Sequence, residues 1–305
     1  MGLDERGAES ETFVEHRTMM KINIIGAGAV GQTFGYLFVK HRLATIQGIV
    51  NQTEQSAQRA IQFIGQGQCY AAIRDLPHAD LTLLTVSDQK IAALARILAT
   101  NPNLQPGAVV MHCSGALTSA CLGSLQDKQC VVASLHPAMS LKNPQWSVQQ
   151  FMQIPCAVEG DAAAVALITK VFIAIGAMVY QIMPEKKALY HAAAVFSTNY
   201  PVTILQQAHA CFVEAGLSKA HAKAVLDRFL QTVIENVQQV DEPKFALTGP
   251  IMRGDVGTVQ QHLQALTDPK LNDLYLRLAK ETLELAFLDA AVCDEMNKVL
   301  AVSQK

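Results

Sequence analysis

The chain has 305 residues, half of them hydrophobic, 16% charged, with a formal net charge of -2 at pH 7. That balance supplies no basic field for nucleic acid, and no uninterrupted apolar run reaches the roughly 18 residues of a membrane span. Ordinary soluble domains carry roughly 25% charged residues, so the deficit implies extensive buried surface, part of it between subunits. The length suits two domains.

Residues 1–18 are polar and aperiodic, and read as a mobile leader without the apolar segment of a signal peptide. An apolar strand with Ile22, Ile24 and Ile25 then runs into Gly26-Ala27-Gly28-Ala29-Val30-Gly31, and a helical pattern of Val30, Phe34, Leu37 and Phe38 follows. Strand, G-x-G-x-x-G and helix in that order suit a dinucleotide pyrophosphate. Gly26 permits the turn, Gly28 lets the phosphates approach the backbone, and Gly31 lets the helix lie close to the strand. The uncovered N–H groups and positive dipole end of the helix face the anion.

The series continues with a strand at 46–50, a helix at 53–64, an apolar strand at 81–86, a helix at 91–98 and a strand at 108–112. Further strands are expected at 131–135, 154–158 and 178–182, the last two joined by a helix at 162–175. Alternation of this kind predicts an α/β fold with a doubly wound parallel sheet of Rossmann type. From Pro184 onward only helices are expected, at 186–212, 219–240, 256–267 and 271–302. The expected organisation is therefore a dinucleotide-binding domain over 19–183 and an all-helical substrate and dimerisation domain over 184–305.

The strand end after the first crossover reads Val50-Asn51-Gln52-Thr53, where NAD-specific sites carry an acid for the ribose 2′-hydroxyl. Neutral Asn51 would not repel a 2′-phosphate, and Thr53, Ser56 and Arg59 are within reach as donors. NADP is therefore favoured as cofactor, with NAD as the alternative. Val86 and Ser87 end another strand on the same edge, and Ser87-Asp88 reads as a helix N-cap.

Two histidines end strands, in His112-Cys113-Ser114-Gly115 and in Ser134-Leu135-His136-Pro137. Each suits either a proton carrier or a side chain bonded to its own strand end. In Tyr190 to Pro201, His191 and Asn199 share a helix face, expected to line a cleft between domains with His191 as proton donor. Arg253, in Leu247-Thr248-Gly249-Pro250-Ile251-Met252-Arg253-Gly254-Asp255, is a candidate ligand for a substrate carboxylate or phosphate. No motif has metal-ligand spacing. Seven scattered cysteines without C-x-x-C, with Cys113, Cys130 and Cys156 in apolar runs, indicate buried free thiols and a reducing cytoplasm.

Taken together, G-A-G-A-V-G, H-C-S-G-A-L, S-L-H-P-A-M-S, Y-H-A-A-A-V and L-T-G-P-I-M-R-G-D resemble the Rossmann-like reductase family whose C-terminal domain is of unknown function. That family is similar to pyrroline-carboxylate reductase, ketopantoate reductase and deazaflavin-dependent NADP oxidoreductases. Its helical domain resembles the 6-phosphogluconate dehydrogenase C-terminal type. The resemblance implies that Gly26, Gly28 and Gly31 carry the pyrophosphate, with Ser114 and Gly115 near the nicotinamide. It places His191 close to the catalytic lysine of β-hydroxyacid dehydrogenases, a match of position and not of identity. It also implies a homodimer formed through the helical domain, with Arg253 able to serve a partner's cleft. The expected activity is hydride transfer between NADP and a small carbonyl or imine substrate. The alternative is a nucleotide-binding sensor without turnover, since fold alone does not prove catalysis.

Overall fold

The computed structural model describes residues 19–302, so the expected leader lies outside the described residues. Eight strands form one sheet in the order β3-β2-β1-β4-β5-β6-β7-β8. The first crossovers are β1 (Met20–Ile25), α1 (Ala29–Lys40), β2 (Ala44–Val50), α2 (Glu54–Ile64) and the short β3 (Gln68–Cys69). The chain then returns to the other side of β1 with β4 (Leu81–Leu84), α3 (Asp88–Leu98) and β5 (Val109–His112). The order reverses between β1 and β4, and a parallel sheet opens its ligand crevice at the carboxyl ends of the strands at such a reversal.

Alternation along the central strands explains why both faces are covered. Ile22 and Ile24 of β1, Leu81 and Leu83 of β4, and Val109 and Met111 of β5 enter one buried cluster with Phe34, Phe38 and Phe172. Ile25, Leu84 and Val110 point the other way, into a cluster with Ile91, Leu98, Leu122 and Leu125. Leu122 and Leu125 belong to a 3-10 segment, Ser119–Lys128, that the sequence pattern did not mark.

The sheet continues with β6 (Val131–Pro137), α4 (Pro144–Gln150), β7 (Pro155–Gly160), α5 (Ala162–Ala174) and β8 (Met178–Gln181). It is doubly wound and mostly parallel, as expected, with one departure: β7 runs antiparallel to β6, with Pro137 opposite Cys156. The connection enters β7 from the end where β6 finishes and so returns as a wide hairpin. A parallel neighbour would need a crossover back along the whole strand.

The helical region comprises α6 (Lys187–Glu214), α7 (Lys219–Gln238), α8 (Val256–Ala265), α9 (Pro269–Leu285) and α10 (Ala290–Val302). Helix α6 continues through Pro201. The helix expected over 271–302 is two helices, because Ala286 turns extended (ψ 143°), and Ala286 and Leu288 lie against the α8–α10 cluster of Val259, Leu276, Leu283, Met296 and Leu300. The chain divides into two compact units between Val195 and Phe196, inside α6. No helix among the described residues is long and apolar enough to cross a membrane.

Candidate functional site

The turn after β1 is fixed by its own backbone and by its neighbours. Gly26 has φ +86°, and a Cβ there would lie 2.3 Å from Val86 Cγ1 and 3.0 Å from the Thr85 carbonyl oxygen. Its N–H donates to the Val50 carbonyl at 2.8 Å, and its carbonyl accepts from the Thr85 hydroxyl at 2.8 Å. Gly31 lies against β1 and the residue after β4, where a Cβ would come within 2.5 Å of Thr85 Oγ1 and 3.0 Å of Ile24 Cγ2. Gly28 differs from both: an added Cβ would meet only the Gly26 carbonyl oxygen, 4.0 Å away, so the space beside it is open.

Gly28 is the N-cap of α1 and makes no side-chain cap, and the first turn of α1 holds no acid. The first intrahelical bond is from Gln32 N–H to the Gly28 carbonyl at 2.9 Å. The amides of Ala29, Val30 and Gly31 therefore stand at a helix start without intrahelical acceptors. Asn51 reaches across from the end of β2 and accepts the Ala27 N–H at 2.6 Å, which ties the loop to the second strand.

These residues border a cavity of about 1050 Å³. Of the predicted cofactor residues, Gly26, Gly28, Ala29, Asn51, Gln52, Val86 and Ser87 line it. Val30 and Gly31 do not: Val30 packs on the sheet core and Gly31 on Ile24 and Thr85. Thr53 also lies outside the lining and caps α2 by accepting the Ser56 N–H. Three cations from separate segments, Arg59 of α2, Lys90 of α3 and Lys142 of the connection before α4, border the same cavity, and no carboxylate does. Arg59 is a candidate from the sequence; Lys90 and Lys142 carry no motif that marks them.

A second group of side chains sits at the ends of β5 and β6. Gly115 is buried between two imidazoles, with an added Cβ 2.7 Å from His191 and 2.9 Å from His136 Nε2. The His136 and His191 ring centroids are 6.1 Å apart, and His136 Nδ1 lies 3.3 Å from the Tyr190 hydroxyl. Burial lowers the His136 pKa, helped by His191 and Lys187. Ser114 does not line the cavity either. It is buried and donates its hydroxyl to Asp88 at 2.7 Å, so Asp88 bridges from α3 to the β5 end. Ser87 holds the N-cap position of α3 without a side-chain bond.

Beneath this group lies a fully buried ion pair. Lys187 (1% exposed) reaches Glu159 (0% exposed) at 2.9 Å and also donates to the Ser134 hydroxyl. The carboxylate accepts the Ser119 N–H at 2.9 Å and the Ser119 hydroxyl at 2.8 Å. Sequence reading missed both charges. A lone carboxylate in the apolar strand Pro155–Gly160 was the available signal, because a buried acid needs a partner.

Asn199 and Arg253 belong to the second unit. Asn199 is exposed and accepts from the Thr198 hydroxyl at 2.9 Å. Arg253 is exposed, and nearby Asp255 caps α8 through Thr258, a bond that with the others around it lowers the Asp255 pKa. All seven cysteines are free; burial pushes the Cys113 and Cys156 thiols up to about 12, Cys156 adding to the shift at Cys113. The described residues hold no group of three His, Cys, Asp or Glu arranged for a metal.

His112 is fully buried. Its Nδ1 accepts the Ser114 N–H at 3.1 Å, so its Nε2 carries the proton and donates to the Thr118 carbonyl at 3.2 Å. Burial, then the Lys187 charge, push its pKa down to about 4. The unfolded chain therefore takes up a proton near 6.5 while the folded chain resists until about 4. Neutral His112 contributes about 3 kcal/mol that is complete above the unfolded value and is lost as pH falls between these limits. His112→Gln is expected to flatten the fall of the urea midpoint over that window. An unchanged slope contradicts the assignment.

Residues 7–137 match the Rossmann-like domain family, and residues 154–282 match a domain of unknown function, DUF2520. No curated protein matches the sequence. Among solved structures, protein TM1727 from Thermotoga maritima is 24% identical with a TM-score of 0.71, covering 87% of this chain and 98% of its own. A candidate NADP oxidoreductase from Bacteroides fragilis is 21% identical with a TM-score of 0.66 and the same two coverages. A pyrroline-5-carboxylate reductase from Coxiella burnetii is 14% identical with a TM-score of 0.57, covering 88% of this chain and all of its own. At these identities the likeness establishes the fold. The two domain matches, a Rossmann-like domain followed by DUF2520, stand in the order along the chain that the motifs led one to expect.

Proposed function

We propose that this chain is an NADP-dependent reductase that transfers hydride to a small carbonyl or imine. The observation that carries the reading is the uncapped start of α1, open beside Gly28, in a large cavity bordered by Arg59, Lys90 and Lys142 and by no acid. A helix start with free N–H groups and a cavity of one charge sign favour a polyanion. The cavity stands at the upper end of the roughly 300–1,000 Å³ of small-molecule and cofactor sites. In this reading Gly26, Gly28 and Ala29 hold the pyrophosphate. Neutral Asn51, with Arg59 bordering the same cavity, favours a 2′-phosphate over a bare ribose. The names of the Bacteroides fragilis and Coxiella burnetii proteins support the same class.

The nicotinamide, when bound, supplies the hydride. The chain's own task is to orient the acceptor and to hold a proton at its oxygen or nitrogen. His191 is the proposed donor, with His136 and Tyr190 beside it over Gly115. His112 holds the Ser114 turn and stays neutral, so its role is to shape the floor. Asn199 and Arg253 are the helical unit's candidate substrate ligands. Homodimerisation belongs to the same reading: α6 buries only Lys187 and α7 only Ala222, while Phe196, Val202, Phe229 and Val233 are more than half exposed. Apolar surface of this extent is what a second copy covers. The compartment consistent with seven free thiols is the reducing cytoplasm.

A pair of variants separates the two halves of the proposal. Gly28→Val is expected to remain folded, because its Cβ meets no protein atom closer than 4.0 Å, and to lose NADPH binding. His191→Ala is expected to keep NADPH binding and to lower turnover roughly 10²–10⁴-fold. Unchanged NADPH affinity in Gly28→Val refutes the cofactor site. Unchanged turnover per folded molecule in His191→Ala removes the proton-donor role.

A further inference from the structure

Four polar side chains from four segments meet where the fold would otherwise place apolar core: Lys187, Glu159 of β7, Ser134 of β6 and Ser119. A buried ion pair is a weak source of stability, since apolar residues of similar volume often serve as well or better. What such a pair supplies is a fixed register, because its hydrogen bonds are satisfied in one arrangement only. Lys187 is the first residue of α6, and Tyr190 and His191 follow at positions i+3 and i+4, on the same side of the helix. Opposite them are Gly115 and His136, and His136 belongs to the strand that supplies Ser134.

We propose that Lys187 and Glu159 are positioning residues: their buried pair, clasped by Ser134 and Ser119, pins the first turn of α6 to β6 and β7 and holds Tyr190 and His191 against His136 over Gly115. The proposal rests on the reading of that cluster as the chemical end of the site. The spacing leaves little freedom. Gly115 fills the gap between the two imidazoles, and a methyl group there would already collide with both. A shift of α6 by a fraction of a turn would therefore change the His136–His191 separation of 6.1 Å and the 3.3 Å contact to Tyr190.

The titratable and charged groups that act on His136 are Tyr190, His191 and Lys187 of α6 and Asp88 of α3. The test reads coupling within this group and needs no substrate. NMR titration of the His136 imidazole, with and without His191→Ala, gives the His191–His136 coupling as a shift in midpoint. The cycle is repeated in the Lys187→Met/Glu159→Leu background, which removes both charges at similar volume. The expected result is a folded protein, by thermal melt, in which the coupling is lost. Because groups in one network need not add, the cycle is also run in Ser134→Ala, which keeps both charges and so separates loss of the clasp from loss of the Lys187 charge.

A folded double variant with the wild-type coupling overturns the proposal. Should the double variant fail to fold, Ser134→Ala decides: it removes one clasp and leaves both charges paired, and it is expected to weaken the coupling. Full retention of coupling there equally overturns the proposal. Absence of NADPH binding in the wild type would instead strike the reductase reading and leave this result standing.

Discussion

The hydrogen bond from the Thr85 hydroxyl to the Gly26 carbonyl, 2.8 Å long, is the tie around which the first unit is arranged. It joins the turn after β1 to the end of β4, across the point where the strand order reverses. For it to form, Gly26 must take φ +86° without a side chain, and the start of α1 must come close enough that Gly31 touches the same threonine. The helix start is thereby fixed over the carboxyl edge of the sheet with its N–H groups directed outward. Asn51 holds the other side of the loop through Ala27. The open helix start that borders the cavity follows from that placement.

Beyond β5 the chain uses another device. The ends of β5 and β6 and the first turn of α6 are held by polar contacts inside the core: His112 between Ser114 and Thr118, Ser114 on Asp88, and Lys187 on Glu159 and Ser134. Each of these side chains has a partner, which is the condition under which such a network rigidifies its surroundings. The first half of the unit has an open, uncapped helix start beside a cavity, and the second half has closely set imidazoles. That division agrees with a reductase in which one region binds and the other handles a proton.

Much of the fold was legible in the sequence because period and punctuation report it directly. Ile22, Ile24 and Ile25 before G-x-G-x-x-G define β1 and α1, and the apolar runs define β4, β5 and β6. The direction of β7 was not legible, since alternation is the same for parallel and antiparallel neighbours. The break between α9 and α10 was hidden because Ala286, Phe287 and Leu288 carry no glycine or proline; packing against the α8–α10 cluster ends the helix.

The candidate site was legible only where the backbone itself is the proposed ligand-binding group. Gly28 could be read from spacing, while Lys90 and Lys142 could not, because a cation in sequence does not reveal which wall it borders. Lys187 was hidden for the opposite reason: a lysine is expected in solvent, and this one is 1% exposed. The chain's single tryptophan, Trp146, follows Pro144 and Gln145, which line the cavity. Energy transfer from Trp146 to NADPH in the wild-type protein is therefore the most direct measurement of the central claim. The account predicts saturable transfer, one NADPH per chain, displaced by NADP and only weakly by NADH. Absence of saturable transfer up to millimolar NADPH, with no heat of binding by calorimetry, would contradict it.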